Sequence, residues 1–284
     1  CGTRGRAPFN NILSHGFVVD GKGLKMSKFS GNVISPDEIL KNYGADILRS
    51  WVASSDYSED IRIDKVILDQ HSESYRKIRN TFRFILGNIK DNFEKQNLED
   101  VNIGDFEELE KYILHKLFEL NESYKDNLKN YNFNRLYKEL LNFCTLDLSS
   151  FYFDIRKDVL YCDSLNSKKR KDCIKVLNII LECLLKWFAP ILVFTTDEIY
   201  SLVSKDEKNI HECTFLEVPK KYENSKLNEK WKQLFKIKQE ANIAIEKKRA
   251  SKEIGSSLEA EIKIVTDSKN YNLLDKLDLA EYFI

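Results

Sequence analysis

Glycine and proline are both scarce in this chain of 284 residues, which contains 10 and 4 of them. Proteins built mainly from β-strands or loops need these residues at their turns, so their scarcity disfavours an all-β or loop-rich fold. An excess of charge of one sign is also lacking, because 45 Lys and Arg residues balance 45 Asp and Glu residues. A protein that binds a polyanion is often basic overall, so any such site here must come from a local group of cations.

The six cysteines form no pattern that is typical of a metal site or a redox site. They contain no Cys-x-x-Cys pair and no Cys/His group with zinc spacing, so the sequence predicts no metal-binding residues. Buried apolar side chains or free thiols in a reducing cytosol explain them better, which predicts a cytoplasmic protein. The sequence also lacks a signal peptide and an apolar run of membrane length, so no membrane contact is expected. The cysteines are Cys1, Cys144, Cys162, Cys173, Cys183 and Cys213.

The most informative stretch is a lysine-bearing loop at 23–32. The apolar run at 16–19 and the Asp-Gly pair after it predict a buried strand that leads into a mobile loop. Lys25 and Lys28 lie on this loop between two glycines. Two ammonium groups and open backbone N–H groups on one loop are suited to binding a polyphosphate. A pair of lysines alone is weak evidence, because most such pairs are solvated surface.

The string Gly-Leu-Lys-Met-Ser-Lys-Phe-Ser-Gly-Asn at 23–32 resembles the KMSKS loop of class I aminoacyl-tRNA synthetases. Residues 35–49 resemble the segment that follows this loop in the isoleucine, valine and leucine enzymes. Residues 51–63 and 254–260 look most like the isoleucyl-tRNA synthetase family. The motif departs from the family at its fifth position, where Phe29 replaces serine. We expect this large side chain to pack against the helix at 34–40.

The resemblance implies a ligase that converts isoleucine and ATP into an aminoacyl-adenylate and then transfers the aminoacyl group to tRNA(Ile). Lys25 and Lys28 would be its catalytic residues, because they would stabilise charge on the departing phosphates. The same lysines, with Met26 and Ser27, would bind ATP, although Met26 is equally well explained as an apolar plug that holds the loop. Magnesium would accompany ATP, and the zinc site of the family would lie beyond Ile284. The complete enzyme would be a monomer.

Three segments are predicted in a mainly α fold. Residues 1–63 would be the end of a Rossmann-type catalytic domain, with the KMSKS loop and the stem-contact helices. Residues 64–223 would be an antiparallel α-helical bundle that binds the anticodon. Residues 224–284 would be a helix and the start of an α/β junction domain. The chain begins without methionine and stops without a polar tail, so we expect an inactive C-terminal fragment of the enzyme.

Capping signals predict the first helices. Ser35 is a good N-cap, Pro36 fits the first helical position, and Glu38 would complete a capping box. Gly44 would end this helix, and a second helix would cover residues 45–54. Later helices are predicted at about 64–88, 105–130, 133–161, 168–188, 194–202 and 227–249, with an irregular connector at 204–223 and a strand at 259–265.

Two groups of cations are candidate tRNA contacts. The helix that begins after its N-cap Asp64 carries a basic stripe, formed by Arg76, Lys77, Arg79, Arg83 and Lys90. A stripe of this kind is commonly a solvated helix face, but with the resemblance a contact to tRNA phosphates is an equally good interpretation. The second group lies near the end of the helix at 227–249 and consists of Lys247, Lys248 and Arg249, followed by Lys252.

Two alternatives remain open for the function. The first is a fragment of a valyl- or leucyl-tRNA synthetase, against which the string at 51–57 argues. The second is a helical RNA-binding module without catalytic activity. Composition alone would favour that module if the lysine loop were a coincidence.

Overall fold

The structure of this chain is a computed structural model that describes residues 2–89, 93–204, 208–256, 259–275 and 277–283. These residues are mainly helical, with only two short strands among them, so the mainly α fold is confirmed. No helix in these ranges combines the length and the apolar composition that a membrane span requires.

The chain divides into two compact units, each made of three segments. The first unit contains Cys1–Phe93, Ser123–Thr145 and Leu181–Leu216, and the second contains Glu94–Glu122, Leu146–Ile180 and Glu217–Ile284. The domain boundaries expected after residues 63 and 223 remain predictions.

The strands β1 (Val18–Asp20) and β2 (Ile61–Ile63) pair in parallel. Parallel strands need a long crossover connection, which here contains the helices α1 (Pro36–Asn42) and α2 (Ala45–Ser54). The remaining helices are α3 (Lys65–Ile89), α4 (Glu108–Lys129), α5 (Phe133–Asn142), α6 (Phe153–Cys162), α7 (Lys168–Phe188), α8 (Val193–Val203), α9 (Ser225–Ala250), α10 (Ser268–Leu274) and α11 (Leu279–Phe283).

The prediction of a buried first strand holds for one residue only. Val19 is buried, whereas Phe17 and Val18 are exposed. Alternate side chains of a strand point to opposite faces, and one face of this short strand is open to solvent.

The capping signals around α1 are confirmed with one correction. The Ser35 hydroxyl accepts a hydrogen bond from the backbone N–H of Asp37, one residue earlier than the capping box predicted from Glu38 requires. After the helix, Gly44 adopts a left-handed φ of 85° and donates its N–H to the carbonyl of Leu40 at 3.1 Å. Glycine is favoured there because it has no Cβ to clash in this conformation.

The helix α2 is central to the first unit. It packs against α1, α3, α5 and α8, and it buries Ile47 and Trp51. Val52, on the same helix, is 46% exposed. Around Trp51, a cluster that we call the loop-side core contains Ile39, Trp51, Ile63 and Leu68.

Four predictions for the later elements need correction. The helix α4 begins at Glu108, after a 3₁₀ turn at Ile103–Asp105, and so starts later than the predicted residue 105. The helix predicted at 133–161 is interrupted, because a π-helical segment (Phe143–Tyr152) separates α5 from α6. The described part of the 204–223 connector contains 3₁₀ turns at Ile210–Glu212 and Lys220–Tyr222. Residues 259–265 form no strand, since no described segment pairs with them.

Aromatic side chains build much of the core of the second unit. Tyr112 stacks on Trp231 with ring centroids 5.2 Å apart, and Phe151 meets Phe235 edge to face at 4.7 Å. Such pairs stabilise a core beyond the area that they bury. Trp231 also contacts Tyr282 edge to face at 5.4 Å, so the cluster joins α4, α9, α11 and the π-helical segment.

Candidate functional site

The carboxylate of Asp20 closes the base of the lysine loop. One oxygen accepts hydrogen bonds from the backbone N–H groups of Lys22 at 3.0 Å and Leu24 at 2.8 Å. The other oxygen accepts from the side-chain amide of Asn32 at 2.9 Å. The bond from Asn32, followed by that from Leu24, is the main reason that the pKa of Asp20 lies below its ordinary value. An ionised Asp20 therefore holds both ends of the loop.

Asn32 also fixes the middle of the loop. Its amide oxygen accepts from the backbone N–H of Ser27 at 2.9 Å, and its amide nitrogen donates to the carbonyl of Lys25 at 3.3 Å. Gly23 and Gly31 adopt left-handed φ angles of 81° and 66° on either side of the lysines. The glycines that frame the motif thus occupy backbone conformations that other residues rarely adopt.

Met26 is the apolar anchor of the loop. Its side chain is half-buried and packs against the loop-side core around Trp51 and Leu68. This contact supports the interpretation of Met26 as a plug. The predicted roles of Met26 and Ser27 in ATP binding stay predictions.

The ammonium groups of Lys25 and Lys28 are exposed and unpaired. Neither makes an ion pair with a carboxylate among the residues that the structure describes. The loop therefore combines a fixed backbone with two free cations, which is the arrangement that a polyphosphate site needs.

The expected packing of Phe29 against the helix at 34–40 is wrong. Its side chain is 100% exposed. The backbone N–H of Phe29 donates to the hydroxyl of Ser27 at 3.2 Å, and the N–H of Ser30 donates to the Ser27 carbonyl at 3.1 Å. This turn directs residue 29 outward, while Met26 and Ile34 fill the space against the loop-side core.

The arginines of the predicted basic stripe share one exposed face of α3. Arg76 makes two bonds of 2.9 and 2.7 Å to the carboxylate of Glu73. Arg79 reaches Glu198 at 3.3 Å, and no bond of Arg83 is found within the described residues. Lys90 lies outside the described residues. The structure thus places Arg76, Arg79 and Arg83 on one surface, and tRNA contact there stays a prediction.

The second group of cations lies at the end of α9, in the second unit. Arg249 pairs with Glu246 at 2.6 Å, and Lys248 pairs with Glu253. Lys247 lines a groove of about 820 Å³ between α9 and the π-helical segment. Its proposed contact with tRNA also stays a prediction.

Asp46 is a site residue that the sequence analysis missed. Its buried carboxylate accepts from the backbone N–H groups of Phe194 at 3.2 Å and Thr195 at 2.8 Å, and from the Thr195 hydroxyl at 2.7 Å. It thereby caps α8, whose own N-cap residue, Leu192, has no side chain for this purpose. The capped residues lie so far along the chain that no local pattern could have identified the contact.

Arg49 binds the same turn from one helical turn further along α2. Its guanidinium donates to the carbonyl of Pro190 at 2.6 Å and to that of Ile191 at 3.0 Å. The two α2 side chains therefore satisfy backbone donors and acceptors of the turn between α7 and α8. Both belong to the string at 35–49 that carries the resemblance, which was the only available signal.

The described ranges contain no group of three or more His, Cys, Asp or Glu side chains that could hold a metal ion.

Two family models match the chain. The model described as "Anticodon-binding domain of tRNA ligase" matches residues 110–264, and the model described as "tRNA synthetases class I (I, L, M and V)" matches residues 1–64. The chain is 61% identical over 284 residues to an isoleucine–tRNA ligase of Pelagibacter ubique, covering 100% of this chain and 31% of that protein. It is 41% identical over 285 residues to an isoleucine–tRNA ligase of Agrobacterium fabrum, covering 100% and 29%.

A solved structure shows the same fold. The chain matches the LeuRS of Agrobacterium radiobacter K84, solved as a ternary complex with tRNA and LeuAMS, with a TM-score of 0.58 and 16% identity. The match covers 74% of this chain and 24% of that one. The chain spans about 30% of the length of the two curated relatives. Because the anticodon-binding model alone covers more than half of its residues, the chain belongs to the family of tRNA-ligase anticodon-binding domains, joined at its N-terminal end to class I tRNA synthetase sequence.

Proposed function

We propose that this chain is the part of an isoleucine–tRNA ligase that carries the ATP-binding lysine loop and the helical tRNA-binding region. The observation that carries the proposal is the 61% identity to an isoleucine–tRNA ligase along the whole chain. The anchored loop with two unpaired lysines supports the assignment to ATP.

The chemistry follows from the charges on the loop. The carboxylate of isoleucine attacks the α-phosphorus of ATP, and the bond from this phosphorus to the bridging oxygen breaks to release pyrophosphate. Negative charge then grows on the departing phosphates, where Lys25 and Lys28 supply ammonium groups. Cations that are already in place stabilise such charge without reorganisation during the reaction. The aminoacyl group then passes to a hydroxyl at the 3′ end of tRNA(Ile), and AMP leaves. Mg²⁺ enters with ATP before the first step and is held largely by its phosphates.

The proposal includes the setting of the complete ligase. It would act as a monomer in the cytoplasm, away from membranes, and the zinc site of the family would be supplied elsewhere in the ligase. Among the described cysteines, Cys144, Cys173 and Cys183 are buried and Cys162 is exposed, and unoxidised thiols at these positions fit a reducing compartment.

A leucine or valine enzyme is the second candidate. The solved LeuRS structure favours it only at the level of the fold, because the sequence identity is 16%. The alternative of a non-catalytic RNA-binding module does not account for the class I match at 1–64. Isoleucine therefore remains the proposed substrate.

An exchange experiment tests the proposed function. The chain replaces the matching residues of the Pelagibacter ubique ligase, with which it aligns over 284 residues, to give what we call the exchange ligase. We expect the exchange ligase to catalyse isoleucine-dependent ATP–pyrophosphate exchange and to charge tRNA(Ile). The lysine loop and the candidate tRNA contacts should perform the same tasks as the residues that they replace. A folded exchange ligase that does neither would contradict the proposal.

A binding titration tests the α3 surface of the 284-residue chain itself. We expect affinity for tRNA(Ile) to fall roughly 40–150-fold between 50 and 200 mM salt, if three or four phosphate contacts release counterions. Replacing Arg76, Arg79 and Arg83 by Glu should abolish binding, because the surface would then repel phosphates. Filter binding measures both effects.

The matched control changes the same amount of charge elsewhere. Lys157, Lys171 and Lys175 are exposed lysines of α6 and α7, and their replacement by Glu should weaken binding far less. Equal losses of tRNA affinity in the two triple variants would identify the basic stripe of α3 as a solvated helix face. Affinity that does not respond to salt would lead to the same conclusion.

A further inference from the structure

A continuous chain of hydrogen bonds joins α3 to α2 within the first unit. Arg79 donates to the hydroxyl of Tyr75 at 3.2 Å, and this hydroxyl lies 2.8 Å from the hydroxyl of Thr195. Thr195 in turn donates to the carboxylate of Asp46 at 2.7 Å. These four side chains, with Glu198, line a cleft of about 400 Å³.

The chemistry of the two ends sets the direction of every bond in this chain. The Thr195 hydroxyl donates its proton to the Asp46 carboxylate, so its oxygen accepts and the Tyr75 proton must point to Thr195. A guanidinium only donates, so the oxygen of Tyr75 accepts from Arg79. Each hydroxyl therefore accepts one bond and donates one, an arrangement in which neighbouring bonds strengthen each other.

The inner end of the chain is connected to the lysine loop through α2. Asp46 lies on α2, and five residues later Trp51 donates its indole N–H to the carbonyl of Arg62 at 3.1 Å. Trp51 belongs to the loop-side core against which Met26 packs. The position of α2 therefore determines where the anchor of the lysine loop sits.

The outer end of the chain is open to an anion. The Arg79 side chain is 50% exposed, and its contacts with Glu198 are long, at 3.3 and 3.5 Å. Those between Arg76 and Glu73 are shorter, at 2.7 and 2.9 Å. A tRNA phosphate can thus replace Glu198 on Arg79 while the bond to Tyr75 persists.

We propose that Tyr75, Thr195 and Asp46 are positioning residues that hold the lysine loop at a fixed position relative to tRNA bound on α3. The inference rests on the proposed function, because it needs ATP at the loop and tRNA at Arg79. Adenylate formation does not involve the tRNA, whereas aminoacyl transfer requires the adenylate and the 3′ end of the tRNA to be held in a fixed relative position. Small displacements between reacting groups slow such a step strongly. Loss of this relative position should therefore slow aminoacyl transfer more than adenylate formation.

Neighbouring threonines provide a matched test in the exchange ligase. Thr195→Val removes the central link. Thr196→Val removes a hydroxyl whose bonds to described residues stay within its own segment, at the carbonyls of Leu192 (2.9 Å) and Val193 (3.4 Å). We expect Thr195→Val to slow the single-turnover transfer of isoleucine from enzyme-bound adenylate to tRNA by about 10-fold, the effect of one hydrogen bond. ATP–pyrophosphate exchange should change less than about twofold in both variants, and transfer should be unchanged in Thr196→Val.

Two further variants separate positioning from simple stability. Thr195→Ser keeps the hydroxyl and should transfer at the normal rate. Tyr75→Phe breaks the same chain from α3 and should repeat the loss, and the double variant with Thr195→Val should lose little more than either single one. Melting temperatures of all variants are measured alongside.

The outcomes distinguish this inference from the proposed function. Equal losses in adenylate formation and transfer, additive losses in the double variant, or a normal transfer rate in Tyr75→Phe would each overturn the inference. An exchange ligase that fails to form adenylate before any of these substitutions would instead contradict the proposed function.

Discussion

Replacement of Lys28 by alanine in the exchange ligase is expected to lower the rate of adenylate formation by roughly 10²–10³-fold. The affinity for ATP should change little, because the ammonium group acts most strongly on charge that grows as pyrophosphate departs. The structure supports this expectation, since Lys28 is exposed and makes no ion pair with the described residues, while Asp20 and Asn32 fix the loop that carries it. Pre-steady-state measurement of adenylate formation over a range of ATP concentrations separates the rate constant from the dissociation constant.

A lysine immediately before the loop serves as the control. Lys22 is exposed in the turn that Asp20 closes, outside the motif, and its replacement by alanine should leave the rate within about twofold. Lys25→Ala should behave like Lys28→Ala. A loss of ATP affinity at an unchanged rate constant would show that Lys28 holds the ground state, which would contradict the assigned role.

The sequence predicted most helices because their signals are local. Asp64 caps α3 by accepting from the backbone N–H of Ile67 at 2.8 Å, as its position predicted. The helix α7 has the predicted bounds, because its apolar residues repeat at helical spacing and Pro190 follows its end. Caps and periodicity depend on residues a few positions apart, so they can be read without the fold.

The predictions that failed depend on contacts between distant residues. The charged and apolar alternation at 259–265 is typical of a strand, but a strand also needs a partner, which no described segment supplies. The π-helical segment is rich in apolar residues, as a buried α-helix is, so the sequence does not reveal the change in winding. Phe29 was assigned a partner by hydrophobicity alone, whereas the turn at Ser27 determines its direction.

In the candidate site, too, features with local sequence signals were predicted and contacts between distant residues were not. The lysine loop was identified from a contiguous motif, and its cradle of Asp20 and Asn32 lies within the same short stretch. Asp46 and Arg49 were missed as functional residues because their partners in the 190–195 turn are distant in sequence. Sequence patterns therefore identify the residues of a binding loop more readily than the contacts between distant residues that orient the loop.

A buried ion-pair network in the second unit was also missed. The guanidinium of Arg156 is fully buried and makes two bonds of 2.7 Å to the carboxylate of Glu110, which is buried as well. It also contacts Glu281 at 2.5 Å and Glu107 at 3.1 Å. Burial is the largest single influence on the pKa of Arg156 and lowers it. Hydrogen bonds and charge attraction from its neighbours, first of all Glu110, together outweigh burial, so the pKa is raised. The network joins α4, α6 and α11.

Arg156→Met is expected to lower the free energy of unfolding of the chain by about 3–5 kcal/mol, because it leaves the Glu110 carboxylate buried without its cation. Methionine keeps most of the apolar stem, so the loss reports the charge rather than a cavity. Urea unfolding followed by far-UV circular dichroism measures the change. In the adjacent control, Lys157→Met removes an exposed pair with Asp154 and should cost at most about 1 kcal/mol.

Removal of both buried charges decides whether the loss in Arg156→Met comes from an uncompensated carboxylate. The double variant Arg156→Met/Glu110→Leu should recover most of the lost stability, because apolar side chains of similar size tolerate the site that an unpaired charge does not. Failure of the double variant to recover would assign the loss to the remaining partners, Glu107 and Glu281, which are partly exposed. If Arg156→Met lowers the free energy of unfolding no more than Lys157→Met does, Arg156 and Glu110 do not form a buried ion pair. A loss that small is expected only for an exposed pair.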